Sequence, residues 1–318
     1  MAKYIAYISC DATFFNQLEG KYSILKYTLE PCKITERNQH RGTSNFTISY
    51  EFEGLPEKGL PDNERVHNSF INKQIAIEEA KIFVAWFSTA VRRPLDLSHV
   101  SFGGTQEFGP SGHYLVEEFD REIVKRIFHL KEDIKEGTYR KVTRPDYKSV
   151  IKKDVHILRV PEDFSKLSKK LYSLPTEIQE KFFDSCLSYQ FALINSLRLP
   201  SISLVALVNV VESIMRDRYS SGYCEDTGKL CPHKRDVMKK FRTFFEENLQ
   251  YPLPEDKRRF LNEVYQNRSN IVHETLMGSG PFRGPIYLGL AKDIEFKDQL
   301  HEFETLVNVG MINWLNRL

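Results

Sequence analysis

The feature that most constrains this chain is a change of hydrophobic period along its length. In the first half, apolar residues come in short runs of aromatic and β-branched side chains: 4–9, 22–30, 46–52 and 82–87. Turn-formers separate them, among them Gly54-Leu55-Pro56 and Gly59-Leu60-Pro61-Asp62. Alternation is clearest at Phe46, Ile48, Tyr50 and Phe52, which predicts four apolar groups on one sheet face. After Pro175 the period lengthens to about three and a half residues, the spacing of helices that bury one side. Two periods cannot share one layer. The expectation is an α+β chain, with a β-rich domain over 1–160 followed by an all-α bundle over 175–318. The boundary falls within 155–175, which carries Pro161, Pro175 and a lysine cluster.

Five helices are expected in the second half. Ile178, Phe182, Cys186, Leu193 and Leu197 define the first, ended by Leu199-Pro200. Ser201 is the expected N-cap of a second, 202–218, which is apolar nearly all round and so belongs at the centre of a bundle. A third covers 234–249 with Val237, Phe241, Phe244 and Phe245 inward. Pro254-Glu255-Asp256 opens a fourth, with two acids at the positive end of the helix dipole, running to Gly278. The last, 296–317, uses Phe296, Leu300, Phe303, Val307, Met311 and Trp314. Short loops between amphipathic helices describe a compact bundle.

Composition mostly excludes. The 45 Lys+Arg against 43 Asp+Glu leave a formal charge of +2, so no global charge points to nucleic acid or membrane. No apolar run reaches the length of a transmembrane helix, and residues 1–10 are too short for a signal-peptide core. Five cysteines, an odd number, read as reduced thiols of a cytoplasmic protein with no membrane partner. Residues 102–112 form a glycine-rich stretch lacking the lysine and spacing of a phosphate-binding loop, and read as a long connection. Between Lys125 and Lys153 ten Lys/Arg face four Asp/Glu, with Tyr139 and Tyr147 among them. Such a stretch tracks a phosphate backbone in some proteins, but a solvated surface is the simpler reading here. Cys224, Cys231 and His233 lack a tight C-x-x-C and a fourth ligand, so no metal and no cofactor is assigned.

Two polar residues break the pattern of the bundle. The inward stripe of the fourth helix is Leu261, Tyr265, Arg268, Val272 and Leu276, and Arg268 falls on it. A guanidinium on an apolar seam is costly unless it is paired or faces a cleft or a partner. Glu212 interrupts the most hydrophobic segment of the chain, between Val210-Val211 and Ile214-Met215. One reading is a structural ion pair that holds two helices in register. The other is a functional site, since both arrangements place charge in the same way.

The segment Asn267-Arg268-Ser269-Asn270-Ile271-Val272-His273-Glu274 is an R-x-x-x-x-H motif. Here the chain, over about 175–318, resembles the HEPN superfamily and in particular its Apea-like branch. Those are helical bundles whose penultimate core helix carries such an Arg and His. Glu212 resembles the acidic residue that the family often carries on an earlier helix. The resemblance implies a metal-independent endoribonuclease, acting as a homodimer that joins two motifs across a two-fold, and an association with bacterial stress or anti-phage defence. RNA carries its own nucleophile, the 2′-OH, so the protein must supply a proton-transfer group and a cation for the phosphorane-like transition state. His273 suits the first task and Arg268 the second. Glu212 would orient Arg268, and Asn270 would hold phosphate or ribose. Ser269, Lys234, Arg235, Arg258 and Arg259 are the expected RNA contacts. The helical half carries 18 Lys+Arg and 19 Asp+Glu, so any basic groove is local. The superfamily also contains inactive RNA-binding and scaffold members, which keeps a binding role as the alternative. Nucleotide binding in the same cleft is a third. The first domain is expected to sense a regulatory protein or small-molecule trigger, or to recognise substrate.

Overall fold

The computed structural model describes residues 2–13, 17–32, 43–97, 113–116, 122, 125, 130, 134–142, 157–215, 237–249, 252–273 and 286–318. They form an N-terminal antiparallel sheet with helices, followed by a mostly helical region, an α+β arrangement. The chain divides into two compact units, one of Met1–Val142 with Lys153–Tyr172 and one of Thr143–Lys152 with Ser173–Leu318.

The first unit is built on two long strands. β1 (Ala2–Thr13) pairs with β5 (Thr43–Gly54) along its whole length, from Ala2 opposite Gly54 to Thr13 opposite Thr43. β4 (Tyr27–Pro31) extends the sheet beyond β5, and β3 (Tyr22–Ile24) lies outside it. The other edge of β1 carries β6 (Leu95–Leu97) and β7 (His113–Val116). A separate parallel pair joins β2 (Gln17–Leu18) to β8 (Ile157–Leu158). The expected strand 22–30 is therefore a hairpin, turning at Leu25-Lys26 with Leu25 at φ 54°. Phe46, Ile48, Tyr50 and Phe52 are all buried, as period two requires.

The run 82–87 is not a strand. It lies inside α1 (Asp62–Val91), a 30-residue helix. A short apolar run has no periodicity of its own, so its neighbours decide. Here Ala76, Glu78, Glu79, Ala80 and Lys81 are good helix formers, and no Gly or Pro intervenes from Asp62 until Pro94. The helix lays Phe83, Val84 and Phe87 in the core. Phe83 stacks on Tyr27 at 3.9 Å between ring centroids, Phe87 meets Phe46 edge-on at 5.8 Å, and Tyr50 donates its hydroxyl to the Ala76 carbonyl. Fully buried Asn72 ties the helix to the end of β5. Its Oδ1 accepts from the Leu55 amide at 2.7 Å, and its Nδ2 donates to the Leu55 carbonyl at 2.9 Å. α2 (Phe164–Ser173) completes this core, its Ser168 hydroxyl accepting from the Trp86 indole at 2.9 Å.

Among the described residues the second unit has the helices α3 (Thr176–Asn195), α4 (Pro200–Ile214), α5 (Val237–Asn248), α6 (Glu255–His273) and α7 (Ile286–Arg317). α4 touches all the other four, the central place its all-round apolar surface implies. Two local expectations fail. Pro200 rather than Ser201 opens α4, at the first position where a missing N–H costs nothing, and Ser201 is buried inside it. Leu197 lies beyond the end of α3 and is 59% exposed, because the helix stops at Asn195 before its next apolar turn. α5 contributes Phe241, Phe244 and Phe245, each fully buried. α7 buries Leu300, Phe303, Val307 and Met311, and its Trp314 stacks on Phe182 at 5.9 Å. Glu304 is a buried carboxylate between α3 and α7. It accepts the Tyr189 hydroxyl and sits 3.4 Å from His301 Nδ1.

Candidate functional site

The site is built where α6 packs on α4. Leu261 and Val264 of α6 are buried against the bundle, and three- and four-residue steps along that side reach Tyr265 and Arg268. One turn above Val208 on α4 stands Glu212, partly buried. Arg268 Nη2 donates to Glu212 Oε2 at 3.2 Å, and the Tyr265 hydroxyl donates to Glu212 Oε1 at 2.9 Å. The Arg268 guanidinium carbon lies 5.9 Å from the Tyr265 ring centroid, a cation–π distance. Tyr265 is itself held by Phe241 at 5.0 Å between centroids. Arg268 is thus neither buried alone nor free in solvent. It is tethered at one corner, with its side chain 21% exposed.

Val272, expected on the inward stripe, is 48% exposed; the buried seam of α6 uses Val264 instead. α6 is helical through His273, so positions 268 and 273 stand about 140° apart around its axis. One copy of the helix therefore cannot present both on one side. Asn270 is not part of the Arg268–Glu212 pair: it accepts a hydrogen bond from Gln266 at 2.9 Å, about 160° round the helix from Arg268. Ser269 is half-buried next to it in sequence.

The expected basic contacts divide. Arg258 pairs with Glu246 of α5 at 3.2 Å, so its charge is answered within the bundle, while Arg259 is exposed. Lys234 and Arg235 lie outside the described residues, as do Cys224, Cys231, His233, the glycine-rich stretch 102–112 and most of the basic run 125–153. Tyr139, from that run, is 41% exposed and meets the Tyr22 ring edge-on at 5.3 Å. Among the described residues no group of His, Cys, Asp and Glu is placed to hold a metal ion, and no helix is long and apolar enough to cross a membrane.

Tyr265 is the residue that sequence reasoning counted only as packing. The clue was its place three residues before Arg268 on the same side of the helix, where a phenol can reach whatever the arginine reaches. Comparison of the chain with models of protein families, with curated proteins and with solved structures finds no match.

Proposed function

We propose that this protein is a metal-independent endoribonuclease of HEPN type, working as a homodimer in the cytoplasm and possessing a trigger-sensing N-terminal unit. The observation that carries the reading is the tethered arginine. Arg268 is held by Glu212 at a single corner, partly exposed, on the same helix as His273. In the proposed reaction the 2′-oxygen of a ribose attacks the neighbouring phosphorus and the bond to the 5′-oxygen breaks. His273 takes the 2′-OH proton and later releases it to water, Arg268 stabilises the charge gathering on the phosphoryl oxygens, and the departing 5′-oxygen takes a proton from water. The products are a 2′,3′-cyclic phosphate and a 5′-hydroxyl. The angular separation of positions 268 and 273 is what makes the dimer necessary, since two antiparallel copies of α6 would place an arginine of one chain beside a histidine of the other. Exposed Val272, next to the histidine, is the apolar group such a contact would cover. The setting we propose is a stress or anti-phage response in which RNA cleavage halts growth.

The same ion pair favours one other reading, a non-catalytic RNA- or protein-binding HEPN scaffold in which Arg268 and Glu212 only staple α4 to α6. His273→Ala separates the two. The nuclease reading expects a variant that keeps its melting temperature and dimer but loses cleavage. A variant that loses stability, from a wild type with no cleavage to lose, would favour the scaffold.

A further inference from the structure

Arginine and carboxylate prefer to meet as two forks, with two parallel N–H···O bonds and charge-assisted distances of about 2.7–2.9 Å. The Arg268–Glu212 pair does not. Glu212 Oε1 faces the Tyr265 hydroxyl, and the guanidinium meets the carboxylate through Oε2 alone, in one contact at 3.2 Å. Arg268 Nε is buried and has no acceptor among the described residues. A pair whose sole task was to join two helices would gain by closing both contacts, whereas here the phenol turns one carboxylate oxygen toward itself. The phenol is held in place by contacts of its ring with the Phe241 ring and the Arg268 cation.

We infer that Tyr265 is a positioning residue: by turning one oxygen of Glu212 toward itself it keeps the Arg268–Glu212 pair single-pronged and leaves the exposed part of the guanidinium, Nη1 rather than the buried Nε, available to an RNA phosphodiester. This rests on the reading of Arg268 as the cation of an RNA site. Removing only the hydroxyl, as in Tyr265→Phe, leaves the ring contacts and frees Glu212 Oε1. The carboxylate then closes on Arg268 with both oxygens, and a phosphate must compete with it.

The test is binding of a fluorescent 2′-O-methyl RNA oligonucleotide, which cannot be cleaved through its 2′ position, to the full chain. Tyr265→Phe should weaken binding about tenfold, the loss of one charge-assisted contact, with an unchanged or raised melting temperature. The hydroxyl deletion should have no effect in a Glu212→Ala background, because without the carboxylate nothing closes on Arg268. Wild-type affinity in Tyr265→Phe, with binding lost in Arg268→Ala, would overturn the inference while leaving the RNA site standing. Equal weakening in the Glu212→Ala background would overturn it too, because Tyr265 would then act on the RNA directly. Loss of fold in Tyr265→Phe would make it a structural group and end the proposal. Wild-type affinity in Arg268→Ala would instead defeat the reading of the site itself.

Discussion

At the scale of single residues, Glu212 and Arg268 interrupt apolar stripes, and the partners each one has shape its chemistry. Glu212 has two donors, the Tyr265 phenol and the guanidinium, and Arg268 spends one corner on it. The first unit shows the opposite case, phenols and thiols kept neutral. Burial pushes the Tyr22 phenol up to about 12 and the Cys32 thiol up to about 12, and raises Tyr27, Tyr50 and Cys10 in the same direction. Unfolding would return these groups to ordinary values near 10 for tyrosine and about 8.5 for cysteine. The neutral folded forms therefore contribute stability in full below those values, and lose it as pH climbs toward 12. Urea unfolding of the full chain should show falling stability from about pH 9 to pH 12. Tyr22→Phe should flatten part of that slope. A stability flat across the window would contradict the burial of these groups.

At the scale of elements, packing overrides local preference in two places. Gly310 lies within α7, where alanine would be favoured by about 1 kcal/mol on propensity alone. A Cβ there would stand 2.7 Å from Phe244 Cε1 and 3.1 Å from Cζ, and that ring is fully buried with Phe245 packed edge-on against it. Overpacking of this kind costs about 1–3 kcal/mol, which outweighs the propensity gain. Gly310→Ala should lower the melting temperature, and a raised one would show that Phe244 can yield. The same contest explains what the sequence made legible. Period two placed Phe46 to Phe52 on one face, and the all-round apolar segment of α4 announced a central helix, because in both cases burial itself writes the pattern. The run 82–87 was misread because a fully buried helix segment carries no alternation to distinguish it from a strand. The Arg268–Glu212 pair was legible as two polar breaks in apolar stripes. Tyr265 was legible only in its place three residues before Arg268, since a tyrosine on such a stripe packs as readily as it hydrogen-bonds, and the position of its hydroxyl decides between the two.

At the scale of the whole molecule, the proposal stands on two copies meeting through α6. Light scattering at micromolar concentration should give a dimer, and Val272→Glu, which puts a charge at an exposed apolar position, should give a folded monomer without cleavage. A clean wild-type monomer would remove the composite site. The most direct measurement of the central claim is incubation of the purified 318-residue chain with end-labelled RNA in excess EDTA, beside His273→Ala, followed by analysis of the new ends. The account predicts cleavage by the wild type alone, leaving 2′,3′-cyclic phosphates and 5′-hydroxyls. Intact RNA with a well-folded wild-type dimer, or equal cleavage by His273→Ala, would contradict it.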